Sequence, residues 1–224
     1  MTRNTADAAQ RRRAVEEAGE HAAAVQPACG GRPPRGPRPA QPVVSNARLG
    51  VAVFIAAEAM FFAGLIGAFL VFRFGSATWP PVDQPRLPLA LTAVNTAILL
   101  LSAYTMRRGK AAIARGNERE LGTGLLLTML LGVAFLAVQG SEWVRLIHYG
   151  LTLSSGAYGA TFYTLIGCHG AHVLVAVTWV AVVERKARRK AFSAENRTAV
   201  DICAMYWYFV VALWPLLFVL VYCY

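Results

Sequence analysis

Apolar residues in this chain gather into five long runs, Leu49–Phe72, Leu87–Met106, Leu121–Trp143, Ala157–Val183 and Ile202–Tyr224, and the charged residues crowd between them. Each run supplies the roughly 20 residues that a helix needs to cross about 30 Å of hydrocarbon. Inside lipid a backbone must satisfy its own hydrogen bonds, and the runs are far too long for barrel strands, so each is predicted to be a transmembrane helix. The expected fold class is all-α: a polytopic bundle of five membrane helices over residues 46–224, preceded by a tail over residues 1–45.

Composition supports this reading and charge adds orientation. The 224 residues are 56% hydrophobic and 15% charged, against roughly 25% charged in an ordinary soluble domain. The net charge of +10 raises nucleic acid as a partner, but the basic residues sit in the connections. Nineteen of the 22 Lys and Arg fall on one side of the five runs and three on the other. The positive-inside rule then places the N-terminus in the cytoplasm and Tyr224 outside. The positive charge is an orientation signal and a grip on anionic lipid headgroups is expected from it, whereas no nucleic-acid partner is expected.

The tail is rich in Arg, Pro, Ala and Gly and ends in Gly30-Gly31-Arg32-Pro33-Pro34-Arg35-Gly36-Pro37-Arg38-Pro39. It offers too little apolar surface to offset chain entropy and is expected to be a disordered cytoplasmic segment, not a cleavable secretory signal. The four cysteines, Cys29, Cys168, Cys203 and Cys223, are too scattered for a disulfide framework or a zinc or iron–sulfur site.

Only two of the twelve acids, Glu58 and Glu142, lie inside the runs. Counted from the basic end at 1.5 Å per residue, Glu58 is roughly 14 Å deep, Asn95 and His172 roughly 16 Å, and His169 roughly 21 Å. Polar groups at that depth usually face protein. Glu58, Asn95, His169 and His172 are therefore expected to form one buried polar cluster, serving either protons or interhelical packing. Gln139 and Glu142 belong to the opposite, outer side, where Glu142 beside Trp143 is expected to be a water-accessible structural carboxylate.

His169 and His172 also raise haem or metal ligation, but they share one helix, and His21 and His148 lie in the tail and an outer connection. No second helix offers a converging ligand, so neither a metal nor a cofactor is expected to bind this chain directly. Small residues four apart, Ala59/Ala63, Gly64/Ala68 and Gly167/Ala171, mark expected helix contacts. Trp79, Trp143, Tyr149 and Tyr222 are expected as anchors at the outer interface. No nucleophile–base pair is evident, and no catalytic residue is assigned.

Several segments, taken in order, resemble the subunit III family of haem–copper oxidases. Ala57-Glu58-Ala59-Met60-Phe61-Phe62-Ala63-Gly64 is similar to the family's S-E-x-M-F-F pattern, and Asn95-Thr96-Ala97-Ile98-Leu99 to its L-N-T-x-I-L stretch. Phe135-Leu136-Ala137-Val138-Gln139-Gly140-Ser141-Glu142-Trp143 resembles F-L-x-x-Q-x-x-E-[YW]. Gly167-Cys168-His169-Gly170-Ala171-His172-Val173 resembles G-x-H-G-x-H-V, and Tyr206-Trp207-Tyr208-Phe209-Val210 with Trp214 resembles Y-W-H-F-V-D-x-x-W. The likeness covers Asn46 to Tyr224. Tyr208 stands where the family often has His, and Val211 where it often has Asp.

The resemblance implies the five-helix form of the family, in a bacterial inner membrane. It implies a non-catalytic subunit beside catalytic subunit I and subunit II, which hold the haems and copper. The expected roles are to stabilise the catalytic subunit, bind structural phospholipid and support proton uptake or oxygen access. Gly64, Gly167, Trp207 and Trp214 are expected in helix packing or lipid contact. The alternatives are a nitric-oxide-reductase-associated homologue of the same family and a small proton-coupled transporter using Glu58. The transporter would show inverted repeats and broken helices, and neither is evident.

Overall fold

A computed structural model describes residues 46–79 and 89–222. Five helices run through them: α1 (Asn46–Gly75), α2 (Leu89–Ala114), α3 (Glu118–His148), α4 (Gly156–Arg188) and α5 (Thr198–Tyr222). Each is long and apolar enough to cross a membrane, and no strand occurs among the described residues. The expected tail, the start of the second run at Leu87 and the last two residues lie outside the described residues.

The helices run past the ends of the apolar runs into polar residues, and the start of α3 shows how such an end is satisfied. Asn117 caps α3: its side chain accepts from the Glu120 N–H at 3.1 Å and its amide donates to the Glu120 carboxylate at 3.2 Å, a reciprocal capping arrangement. Gly116, at φ 78°, supplies the left-handed residue that stops α2. The chain therefore reverses in three residues, and α2 and α3 pair as an antiparallel hairpin, the most extensive helix contact in the fold. Pro215 lies inside α5 without ending it, as neighbouring helices permit in a membrane bundle.

α5 contacts α1, α2 and α4, whereas α1 touches only α4 and α5. Half of the apolar window of α5 is buried in the bundle, against 6% of that of α1. Phe62 and Phe69 are the buried residues of α1, so it is an edge helix.

The close approaches are not where the four-residue spacings along single helices predict them. Gly64 meets nothing within 4 Å, and Gly167 touches only the rim of Trp143 at 3.7 Å. The tight crossing is between α2 and α3, where a Cβ on Gly124 would stand 2.8 Å from the Gly109 Cα. At Gly132 it would stand 2.7 Å from both Trp207 and Val177. Glycine lets backbones and rings approach to these distances.

Candidate functional site: polar groups between the helices

α2 carries a stripe of polar side chains, Thr92, Asn95, Thr96, Ser102 and Thr105, spaced by one turn or two, with Leu99 in the gap, and so winding along one side of the helix. Each has a partner across a helix seam. Thr92 donates to the Glu142 carboxylate at 2.9 Å. Asn95 donates to the Phe135 carbonyl at 3.2 Å and toward Gln139 at 3.5 Å. Trp214 donates to the Thr96 hydroxyl at 2.9 Å, Trp207 to that of Ser102 at 3.2 Å, and Thr105 meets Thr128 at 2.8 Å. Asn95 aside, the sequence reading missed these rungs. Their signal was the repeat of short polar residues on one face of an apolar run.

The four residues expected as one cluster fall into separate settings. Glu58 and His172 meet across the α1–α4 seam, with the carboxylate and Nε2 2.7 Å apart and both side chains 20% exposed. Nδ1 of His172 lies 2.6 Å from the Cys168 carbonyl. A carbonyl only accepts, so Nδ1 carries a hydrogen and donates. An N···O separation of 2.7 Å then requires a proton between Nε2 and the carboxyl, whether on the acid or on the ring. With one proton in that contact the pair carries no net charge, whether as acid and imidazole or as carboxylate and imidazolium.

His169, one turn away on α4, does not join that pair by a hydrogen bond. It is fully buried, stacked on Trp214 with ring centroids 5.0 Å apart and edge-on to Phe135 at 6.2 Å. Neither ring nitrogen has a hydrogen-bond partner among the described residues. Asn95 sits with Phe135 and Gln139 in the α2–α3 seam. Depth along the bundle was shared by these residues; direction around each helix was not.

Glu142 departs furthest from expectation. It is 1% exposed rather than water-accessible, enclosed by the Thr92 hydroxyl and the Gln139 amide, which donates to its other oxygen at 3.0 Å. Gln139 also donates to the Tyr222 hydroxyl at 3.2 Å. Tyr222, expected as an interface anchor, is thus buried in this network, as is consistent with the cost of leaving a carboxyl unpaired in an apolar interior. Trp143 instead lies over Gly167 and Gly170, and Tyr149 is exposed. Trp79 packs against Phe69 and Tyr158.

At the basic end a third set closes the bundle. Asp201, in the first turn of α5, is 4% exposed and bonded to Arg48 of α1. Lys110 of α2 lies 3.2 Å and Arg197 3.9 Å from its oxygens. One carboxylate thus ties three helices, and its place at a helix N-terminus suits its charge.

No group of three or more His, Cys, Asp or Glu that could hold a metal occurs among the described residues. The His169 ring is enclosed by aromatic faces and both nitrogens of His172 are engaged. Neither is presented to a porphyrin iron.

Trp207 and Trp214, the two buried indoles of α5, fill the centre of the bundle and end on the α2 hydroxyls. Where the related pattern has Asp, Val211 is buried among apolar neighbours. Where it has His, the Tyr208 hydroxyl is buried with no partner among the described residues.

The arrangement defines a class: a multi-pass helical membrane protein whose interior holds hydrogen-bonded polar groups and one proton-sharing acid–imidazole pair. Comparison with known proteins gives the family. The sequence model described as cytochrome c oxidase subunit III matches residues 38–224. The subunit 3 of Synechocystis is 34% identical over 174 residues, covering 77% of this chain and 73% of that one. A probable subunit 3 of Nocardia farcinica is 34% identical, covering 78% of this chain and 86% of the other. That of Scyliorhinus canicula is 33% identical, covering 81% and 70%. The chain belongs to the cytochrome c oxidase subunit III family, a non-catalytic subunit of a haem–copper oxidase.

Proposed function

We propose that the chain lies beside the catalytic subunit I, with subunit II in the same complex, in a bacterial inner membrane, its basic end in the cytoplasm. The haems and copper are carried by those partners. This chain stabilises the catalytic subunit, holds structural phospholipid and supports proton uptake through the Glu58–His172 pair. Support for the orientation is the concentration of Lys and Arg at one end of the helices. The observation that carries the proton role is the 2.7 Å contact of Glu58 with His172. A pair that shares a single proton buries no net charge at rest, and side chains still partly open at the α1 edge give that proton a way out and back.

The test is purification of the tagged chain from native membranes in mild detergent, with a visible spectrum and identification of what accompanies it. A haem–copper catalytic subunit is expected in the eluate. A colourless chain alone would overturn the assignment to a complex. In that complex, Glu58→Gln is expected to assemble and to begin turnover at the normal rate, then to lose activity faster than the parent. Equal durability would remove the proton role and leave the structural one.

A further inference from the structure

Helices α2, α3, α4 and α5 close a ring in which each packs on the next, so α2 and α4 oppose each other across its axis without packing directly. One fully buried residue from each of the four meets its neighbours there: Asn95, Phe135, His169 and Trp214. The Phe135 ring is edge-on to both His169 and Trp214, and the last two are stacked. Asn95 reaches the group through the Phe135 carbonyl, and Trp214 gives its N–H to Thr96, the residue after Asn95.

The hydrogen-bonding atoms of this group are not all satisfied. The Asn95 amide nitrogen faces two acceptors, the Phe135 carbonyl at 3.2 Å and Oε1 of Gln139 at 3.5 Å. That sets which way the amide is turned and leaves Oδ1 as an acceptor with no donor among the described residues. An imidazole in any state carries at least one N–H, yet neither nitrogen of His169 has a partner among the described residues. A buried donor and a buried acceptor left bare on one axis are both costly. Counted by helix rise, Asn95 and His169 differ in depth by about 5 Å. Two hydrogen bonds of about 2.8 Å that meet at one oxygen span roughly that distance.

We infer that a water molecule is bound on this axis, accepting from an N–H of His169 and donating to Oδ1 of Asn95. Enclosed waters in proteins occupy such places, between buried polar groups that lack other partners. The site gives the molecule an internal pin. Among the described residues the polar stripe of α2 is bonded directly to α3 and α5 only, and the water joins α4 to it. The inference stands apart from the lipid and proton roles proposed above.

The test is radiolytic footprinting of the purified oxidase complex. A brief X-ray pulse turns water into hydroxyl radicals where it stands, and peptide mass spectrometry locates the side chains oxidised beside it. Trp207 is the control, as deeply buried as Trp214 but bonded to Ser102. In the parent, Trp214 and His169 are expected to be oxidised and Trp207 to be spared. Asn95→Leu removes the acceptor and His169→Phe the donor, and in each the oxidation of Trp214 is expected to fall to the level of Trp207. Parent complex in which Trp214 is oxidised no more than Trp207 would overturn the site, as would undiminished oxidation of Trp214 in both variants. Thermal melting gives a second reading. His169→Phe keeps an aromatic ring in the stack, so it should melt below the parent if a water is lost with the N–H, and the drop should shrink in the Asn95→Leu background. A His169→Phe complex that melts above the parent would mean that the N–H was bare, and the water would be withdrawn.

Discussion

The two carboxyls inside the membrane are held in opposite ways. Glu142 is closed into the seams of α2, α3 and α5, 1% exposed, and surrounded by neutral donors from Thr92 and Gln139. Glu58 stands on α1, the helix with least buried surface, and faces one imidazole while a fifth of its side chain stays open. The first is built as an interhelical fastening whose loss strands other buried groups. The second depends on one partner and stays partly open at the edge, as the proposed proton role requires. Two acids at comparable hydropathy in the sequence thus separate into an enclosed group and a partly open one according to which helix they sit on.

If the α2–α3 seam is the rigid part and α1 the adaptable one, adding a single methyl group should tell them apart. Gly124→Ala puts a Cβ 2.8 Å from the Gly109 Cα, and backbone cannot yield as a side-chain tip can. A loss of about 3 kcal/mol or more is expected, read as a large fall in melting temperature or failure of the complex to assemble. Gly64→Ala on α1 meets nothing within 4 Å, so its melting temperature should match the parent. Equal effects would erase the distinction between the two regions.

Glu142→Leu comes next. It leaves the Thr92 hydroxyl and the Gln139 amide facing an aliphatic side chain; a stranded buried group costs about 1–3 kcal/mol and Gln139 keeps its bond to Tyr222, so roughly 2–3 kcal/mol is expected from thermal unfolding of the complex. Glu142→Gln keeps an acceptor for Thr92 and should recover most of it. If instead Glu142→Gln lowers activity with stability intact, the enclosed carboxyl has chemistry and the contrast with Glu58 fails.

Helix number and identity were legible because about 20 apolar residues leave one solution in lipid. The depth of each polar group follows from a fixed rise per residue, which is why the sequence already pairs Glu58 with His172. Depth says nothing of azimuth, so Asn95 and His169 were placed in the same cluster although they face other seams. Gly64 and Gly167 were chosen by spacing along one helix, whereas Gly109 and Gly124 act as a pair between two helices that no single-helix period reveals. Gly109 also lies among Arg107, Arg108 and Lys110, beyond the apolar run where contacts were sought. The enclosure of Glu142 depends on Tyr222, 80 residues later, and on which face of α2 carries Thr92. That is tertiary information.

At the basic end, Asp201→Asn tests how much the Arg48 contact adds to the hold on α1. The substitution leaves Arg48, Lys110 and Arg197 facing one another without their shared carboxylate. These cations are 37–40% exposed, so solvent screening holds the expected loss to about 1–2 kcal/mol. Melting with and without 0.5 M salt (a working concentration of roughly that size) separates the causes, since the repulsive part shrinks as the Debye length falls. A deficit indifferent to salt would mean that Asp201 acts through helix capping rather than by gathering the three cations.

The smallest effect tests the fit of the central helix. The Tyr208 hydroxyl is buried and has no partner among the described residues, while the ring packs against the core. Removing an unsatisfied hydroxyl while keeping the ring takes away a desolvation cost and little else. Tyr208→Phe should therefore leave the melting temperature of the isolated chain unchanged or raise stability by about 0.5–1 kcal/mol. The same variant measured within the oxidase complex carries the second half of the experiment. A loss seen only there assigns the hydroxyl to a group on a neighbouring subunit and turns the α5 face into part of the contact. A loss in both settings points to a partner within the bundle itself, and the balance between a satisfied α2 stripe and a divergent α5 would have to be redrawn.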